Sequence, residues 1–430
     1  MDRRRRLQNE ITPLRLRENI SWTLIANALT QAAHAVALVI TARLTDPTVV
    51  GQYALALAIC TPVMTVSMLE LANVQVTDAK GEFRFSDFFI LRCVTTAIAT
   101  IAIWIIGLLV DGDASTRWVI AAMALVKGVD AFADIVSGFY QKIERMNEMA
   151  RASGLRAIVG ISSFAIILYV SRSLPIALTA QGVAMAAVVW GRDLRLIASL
   201  GGGSALEGTT FGVAKELLAR AAPLAVGGGL ASFTAHLPHY AIQYFHGEEA
   251  LGYFASALYL TFIGRMVVGS AGRSARPRLA RLWIGDRVAF RKTLSRLVLG
   301  AAIIGVAGTL LTIFFGDVIL ALVYGPEYRD YDGVLAWLTF ASGLFFVAMM
   351  YEAGLMAAHA YRGFMAIQIG MTIATVVGCL ALVPRYSIYG AAGAVMVSYV
   401  TKLAYAVILA RRLDAKEPGR SVVPAEEGSS

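Results

Sequence analysis

Twelve apolar segments, each about twenty residues long and each ended by a short polar gap, limit what this chain can fold into. They lie near 20–43, 50–73, 87–110, 117–140, 153–171, 175–195, 221–244, 250–271, 297–323, 333–358, 363–383 and 388–410. A helix needs about 20 apolar residues to cross the hydrocarbon core of a bilayer. Inside the bilayer a helix also satisfies its own backbone polar groups. The pattern therefore predicts an all-α polytopic membrane protein with about 12 transmembrane helices. The fifth and sixth segments are divided only by Ser171-Arg172-Ser173-Leu174-Pro175. The chain is 57% hydrophobic and 16% charged. Soluble domains are nearer 45–50% and about 25%, so the apolar surplus is surface that faces lipid.

The distribution of cations tests that count. Gaps on the side of the N-terminus hold 28 Lys and Arg, and the opposite gaps hold only Arg117, Arg172, Arg329 and Arg385. Such a bias predicts that both termini are cytoplasmic. The basic start MDRRRRLQNEITPLRLR resembles the front of a signal peptide, but the apolar run behind it is too long for one, so a retained helix is expected. The net charge of +9 then needs no nucleic-acid partner. Basic inner loops attract anionic membrane lipid instead. The segment Arg276 to Leu297 mixes Arg with Leu, Trp and Phe at helical spacing and reads as an amphipathic connector in the inner interface. The outer loops are too short for a catalytic domain, so no enzyme is expected. Cys60, Cys93 and Cys379 lie far apart in apolar runs, giving no metal or disulfide framework, and no cofactor is expected.

One motif occurs twice. DPTVVGQYALALAI begins at Asp46 and GEEALGYFASALYL at Gly247, so that Gly51 aligns with Gly252 and Leu57 with Leu258. The copies are the outer turns after the first and the seventh spans. A Gly-rich stretch, Gly201-Gly202-Gly203-Ser204, lies at the midpoint. The expected organisation is a cytoplasmic basic N-terminus (1–19), an N-lobe (20–195), a cytoplasmic Gly-rich linker (196–218), a C-lobe (219–410) and a disordered cytoplasmic tail (411–430). Both lobes start on the same side, so the repeat is parallel, a pseudo-twofold about the membrane normal. That is a transporter plan.

Four blocks resemble the polysaccharide-export flippases of the multidrug/oligosaccharidyl-lipid/polysaccharide superfamily. They are TARLTDPTVVGQYALALAI; APLAVGGGLASFTAHLPHYAIQYFHGEEALGYFASALYL followed by ARPRLARL; ALVYGPEYRDYDGVLAWL; and YSIYGAAGAVMVSYV. The resemblance covers nearly the whole chain. It implies flipping of a polyprenyl-diphosphate-linked oligosaccharide across a bacterial inner membrane by alternating access, beside other polysaccharide assembly proteins. Where many members carry an acid in helix seven, this chain has His236 and His239. Alternatives are a cation-coupled multidrug antiporter of the same superfamily and a non-transporting partner of an assembly complex.

Charges inside a bilayer cost about 2.5–3.5 kcal/mol each on insertion scales, so they mark the residues to examine. Lys127, Asp130, Asp134, Ser137 and Gln141 repeat at three and four along span four, on one face. Asn27, Gln31 and His34 form a stripe in span one, and Ser232, His236, His239 and Gln243 one in span seven. The candidate substrate-binding residues are Arg265, Lys127, Lys402, His34, Gln31, His236, His239 and Arg43. A guanidinium suits a diphosphate because its donors form a fork. The candidates for proton or ion coupling are Asp130, Asp134, Glu352 and Glu70. Arg92 and Arg156 read as charges that set topology. Gly227, Gly228, Gly229 and Pro238 are hinge candidates, with close helix packing as the other reading.

Overall fold

The computed structural model describes residues 16–78, 81–110, 113–202, 210–358 and 360–415. Among these the structure is almost entirely helical and contains no strand. The helices are α1 (Leu16–Leu44), α2 (Pro47–Met68), α3 (Leu71–Thr77), α4 (Phe85–Leu109), α5 (Ala114–Lys142), α6 (Met146–Ser171) and α7 (Leu174–Val188, running on through π-helical turns to Gly202). They continue with α8 (211–246) and α9 (248–285), divided at Gly247, then α10 (Arg287–Val323) and α11 (Asp332–Ala357). The last two, α12 (361–386) and α13 (388–415), are divided at Ser387.

Among the described residues nine helices are long and apolar enough to cross a membrane. Two of them, Gly227–Gly285 and Met365–Arg412, contain Gly247 and Ser387 and so make two crossings each. The remaining crossing is α5, 29 residues long, with Lys127, Asp130 and Asp134 in its middle. The total is the twelve that the apolar pattern predicts. Large apolar side chains such as Ile101, Trp104 and Leu109 on α4 are exposed, as lipid-facing residues are.

Two local differences from the sequence reading stand out. Span two is not one helix. Leu69 and Glu70 both take left-handed backbone angles (φ 52 and 51), and the chain restarts as α3. For non-glycine residues such geometry costs about 1–3 kcal/mol apiece and persists only where neighbours impose it. The basic connector after span eight is likewise not a separate surface helix. α9 runs to Gly285 and α10 begins at Arg287, with Asp286 between them accepting the Ala289 N–H at 2.9 Å. Its apolar side packs inward as a cluster of Leu279, Phe290 and Ala357 with Trp283 and Leu294.

The chain packs as two compact units. The first comprises the residues through Tyr259 with Asp317–Asp332 and Cys379–Ala391; the second comprises Leu260–Gly316, Gly333–Gly378 and the residues from Ala392 onward. This cut differs from a division at the linker, and the physical reason lies inside the first unit. α8 packs on α2: Tyr240 Oη donates to the Ala58 carbonyl, and a Cβ on Gly229 would overlap the Val66 side chain. The two copies of the repeated motif also touch each other. A Cβ at Gly51 would overlap the Glu248 carbonyl, and one at Gly252 would overlap the Pro47 carbonyl. Only glycine lets the two helix starts approach so closely.

Candidate functional site

Three intramembrane clusters hold most of the charges singled out in the sequence. The first lies between α1, α5 and α8. Lys127 Nζ is 3.1 Å from Asp130 Oδ2 and 3.5 Å from His34 Nε2, and His34 Nε2 is 3.7 Å from Asp130 Oδ2. One turn of α5 separates Lys127 from Asp130, which is why the pair forms. His236 on α8 lies within electrostatic reach of Lys127, and its Nδ1 donates to the Ser232 carbonyl at 2.8 Å. That bond leaves Nε2 as the acceptor. His239 is 3% exposed, stacks obliquely on His236 at 5.4 Å, and has an unpartnered Nδ1. The structure thus brings His34, Lys127, Asp130, His236 and His239 together. Gln31 stays exposed on α1 and finds no partner among the described residues.

The second cluster sits at the break in span two. Arg92 on α4 is fully buried; its Nη2 donates to Asp134 Oδ2 at 3.0 Å and its Nη1 to the Ser67 carbonyl at 3.4 Å. Glu70 acts electrostatically on both Arg92 and Asp134. Its Oε2 accepts from Asn73 Nδ2 at 2.6 Å. A Cβ on Gly228 of α8 would lie 3.5 Å from Glu70 Oε1. The stripe on α5 is therefore shared between two sites, Lys127 and Asp130 to one and Asp134 to the other.

The third cluster belongs to the second unit. Arg265 Nη2 donates to Tyr399 Oη at 2.6 Å, and its guanidinium carbon lies 4.4 Å from the Phe345 ring centre and 4.8 Å from that of Phe262. Lys402 Nζ is 3.1 Å from Glu352 Oε2 and 4.3 Å from the same Phe345 ring. One aromatic ring thus steadies two cations. Lys402 and Glu352 are both buried, so Lys402 is held by its pair rather than reaching for the surface. Arg265 Nε and Glu352 Oε1 have no hydrogen-bond partner among the described residues. His359, which the spacing places on the face of Glu352, lies outside the described residues.

Counting formal charges separates the third cluster from the other two. Lys127 and Asp130 balance. Arg92 and Asp134 balance as well, and Glu70 beside them is held by Asn73. Arg265 and Lys402 face one carboxylate, leaving one excess positive charge. An isolated net charge in a low-dielectric interior is costly, so the third cluster is where a counter-charge is expected to bind.

The other candidates fall elsewhere. Arg43 caps the end of α10: Nε donates to the Val323 carbonyl at 2.9 Å and Nη2 to the Ala321 and Leu322 carbonyls. These terminal carbonyls carry the negative end of the helix dipole. Gly227, Gly228, Gly229 and Pro238 lie in uninterrupted helix, and the backbone break is beside Gly228, at Leu69 and Glu70. Sequence reading missed three arrangements. Arg92 and Arg156 are buried partners of carboxylates rather than topological charges; Arg156 Nη1 is 2.8 Å from the fully buried Asp193. Glu248 is gripped by Gln52 Nε2 at 2.9 Å and Thr116 Oγ1 at 2.5 Å. Tyr399 gave no signal, being one aromatic in an apolar run.

Twelve crossings and three ionic clusters among the described residues define a multi-pass membrane protein with a transporter fold. The chain superposes on the lipid II flippase MurJ in an inward closed conformation with a TM-score of 0.73, at 10% identity, covering 90% of this chain and 87% of that one. It also superposes on an inward-facing multidrug resistance MATE family transporter of the MOP superfamily with a TM-score of 0.68, at 15% identity, covering 92% and 94%. The profile of the family described as polysaccharide biosynthesis protein matches residues 16–283. The chain belongs to that family. A curated relative, the capsular polysaccharide biosynthesis protein CapF of Staphylococcus aureus, is 25% identical over 395 residues, 90% of this chain and 98% of that protein.

Proposed function

We propose that the protein is a flippase that moves a polyprenyl-diphosphate-linked oligosaccharide from the cytoplasmic to the outer leaflet of a bacterial inner membrane by alternating access. The observation that carries this reading is the cation surplus around Arg265. Its guanidinium lies over the Phe345 and Phe262 rings, and its Nε has no hydrogen-bond partner among the described residues. A diphosphate offers charge and several acceptor oxygens, which a guanidinium fork and a neighbouring ammonium meet together. The polyprenyl tail stays in lipid. The family and the MurJ-like fold support the substrate class. The 28-to-4 cation bias supports cytoplasmic termini. A drug-cation antiporter would need an acidic surplus at the substrate site, and Arg265 and Lys402 give the opposite sign. The chemistry is translocation, with no covalent step.

In a strain lacking glycan export, Arg265→Ala abolishes complementation at normal protein level, and Arg265→Lys retains part of it. Full export with Arg265→Ala would overturn the diphosphate role. Flipping by the purified chain in proteoliposomes separates a transporter from a non-transporting partner.

A further inference from the structure

We propose that the groove between the outer ends of α1 and α6 binds one anionic phospholipid, with its phosphate on Arg172 and the tops of its acyl chains along the groove. The site shares no residue with the three ionic clusters, and its chemistry does not depend on what the chain transports. Only the choice of leaflet, the outer one, rests on the orientation proposed above.

The groove encloses about 460 Å³ and is lined by Val39, Ile40 and Leu44 of α1 and by Ile166, Tyr169 and Val170 of α6. The last three are exposed, so the groove opens toward lipid. Two cations stand at its end. Arg43 is part of the lining, but its Nε and Nη2 already bond the carbonyls of Ala321, Leu322 and Val323. Those carbonyls carry the negative end of the α10 dipole and offset its charge. Arg172 differs. Its Nη1 donates to the Leu44 carbonyl at 2.9 Å, and its guanidinium carbon lies 5.4 Å from the Tyr169 ring centre. Leu44 and Tyr169 both line the groove, so the guanidinium is anchored at the rim. Among the described residues no carboxylate pairs with it. A guanidinium has five N–H donors, and one bond leaves the others for a further acceptor.

Backbone and topology both disfavour an arginine at this position. Arg172 ends α6 in the left-handed region (φ 51), with its N–H on the Leu168 carbonyl at 3.0 Å. Glycine is the usual residue there, because a Cβ is strained in that conformation. Arg172 is also one of only four Lys and Arg on its side of the membrane. Its side chain therefore answers a local need that a glycine could not meet.

Charge and length identify the occupant. One unpaired cation matches a phosphodiester with a single negative charge, whereas a diphosphate would bring two. Residues 39–44 and 165–170 each advance about 7.5 Å along their helices. That length holds a glycerol backbone and the first methylenes of its acyl chains, and it is short for a polyprenyl tail. Tyr169 suits headgroup depth, where amphipathic rings gather. A second groove, lined by Thr100, Ile101, Trp104, Ala121 and Ala124, makes the contrast. Ile101 and Trp104 are exposed there too, but no charged residue lines it, so nothing selects a headgroup.

The test is native mass spectrometry of the full-length chain in detergent, titrated with palmitoyl-oleoyl phosphatidylglycerol or with the matching phosphatidylcholine. Wild type binds one phosphatidylglycerol more tightly than phosphatidylcholine. Arg172→Gln keeps a donor for the Leu44 carbonyl but lowers phosphatidylglycerol affinity about fivefold, the weight of one cation near an anionic headgroup. Arg172→Lys keeps the preference. Val170→Trp fills the groove, leaves Arg172 in place and also loses the bound lipid. Equal binding of the two lipids by wild type overturns the proposal, as does an unchanged preference in Arg172→Gln. Where Arg172→Gln does not fold, Val170→Trp decides, and a retained preference there refutes the groove. Tighter binding of undecaprenyl diphosphate that depends on Arg172 gives the groove to the substrate tail and overturns the phospholipid. The leaflet has its own check. Arg172→Cys is labelled by an impermeant maleimide on intact spheroplasts, and labelling only after lysis overturns the orientation while the lipid preference stands. No arm requires transport, so a chain that flips nothing yet prefers phosphatidylglycerol through Arg172 loses the flippase reading and keeps this site.

Discussion

At the scale of single residues, Asp78 gives a solution test that needs no transport assay. It follows α3 in a loop, and its Oδ2 lies 2.9 Å from Lys142 Nζ. Its oxygens also accept the backbone N–H groups of Glu82 and Phe83. Burial pushes the carboxyl up, but Lys142 and those N–H groups outweigh it and hold Asp78 below the usual carboxylate range. A depressed folded-state pKa contributes stability above the unfolded value, about 3.9, and loses it as pH falls through the folded one. Asp78→Asn is therefore less stable than wild type at neutral pH, and the difference shrinks on acidification, as read by thermal unfolding in detergent. The ionic partners themselves were only partly legible in sequence. Lys127 and Asp130 were, because they are three apart on one helix. Arg92 and Asp134 were not, because 42 residues separate them and no periodicity links two helices.

At the scale of elements, the apolar pattern located every crossing, and it did so because lipid imposes one length on all of them. It gave no sign of the break at Leu69 and Glu70, two non-glycine residues in left-handed geometry. The glycines of α8 show the same limit. Spacing alone leaves hinge and packing open, and the structure separates their environments. A Cβ on Gly229 would collide with Val66, whereas one on Gly227 meets nothing within 4 Å. Gly229→Ala should then destabilise the α2–α8 contact by about 1–3 kcal/mol, the usual cost of overpacking. Gly227→Ala should be neutral or slightly stabilising, since alanine favours helix. Comparing the two melting temperatures checks this, and equal losses would point to a bending role for both.

For the whole molecule, the echo of DPTVVGQYALALAI in GEEALGYFASALYL was legible, but the direct contact between the copies was not. Sequence similarity reports equivalence, and contact requires three-dimensional packing. Gln52 and Glu248, 196 positions apart, meet at 2.9 Å at that contact. Gln52→Cys with Glu248→Cys should form an intramolecular disulfide under mild oxidant, seen as faster migration on a non-reducing gel. Alternating access predicts that flipping stops when it forms and resumes on reduction. Unimpeded flipping by the cross-linked chain would mean that the contact never opens.

The paired glycines also have a consequence for origin. Gly51 lies against the Glu248 backbone and Gly252 against that of Pro47, so each copy offers the other nearly the same surface. A surface that fits its own duplicate is what two identical chains need to dimerise about a twofold axis. An ancestor with six helices could have closed on a second copy of itself through this contact, and gene fusion would then have added little more than the tether between the halves.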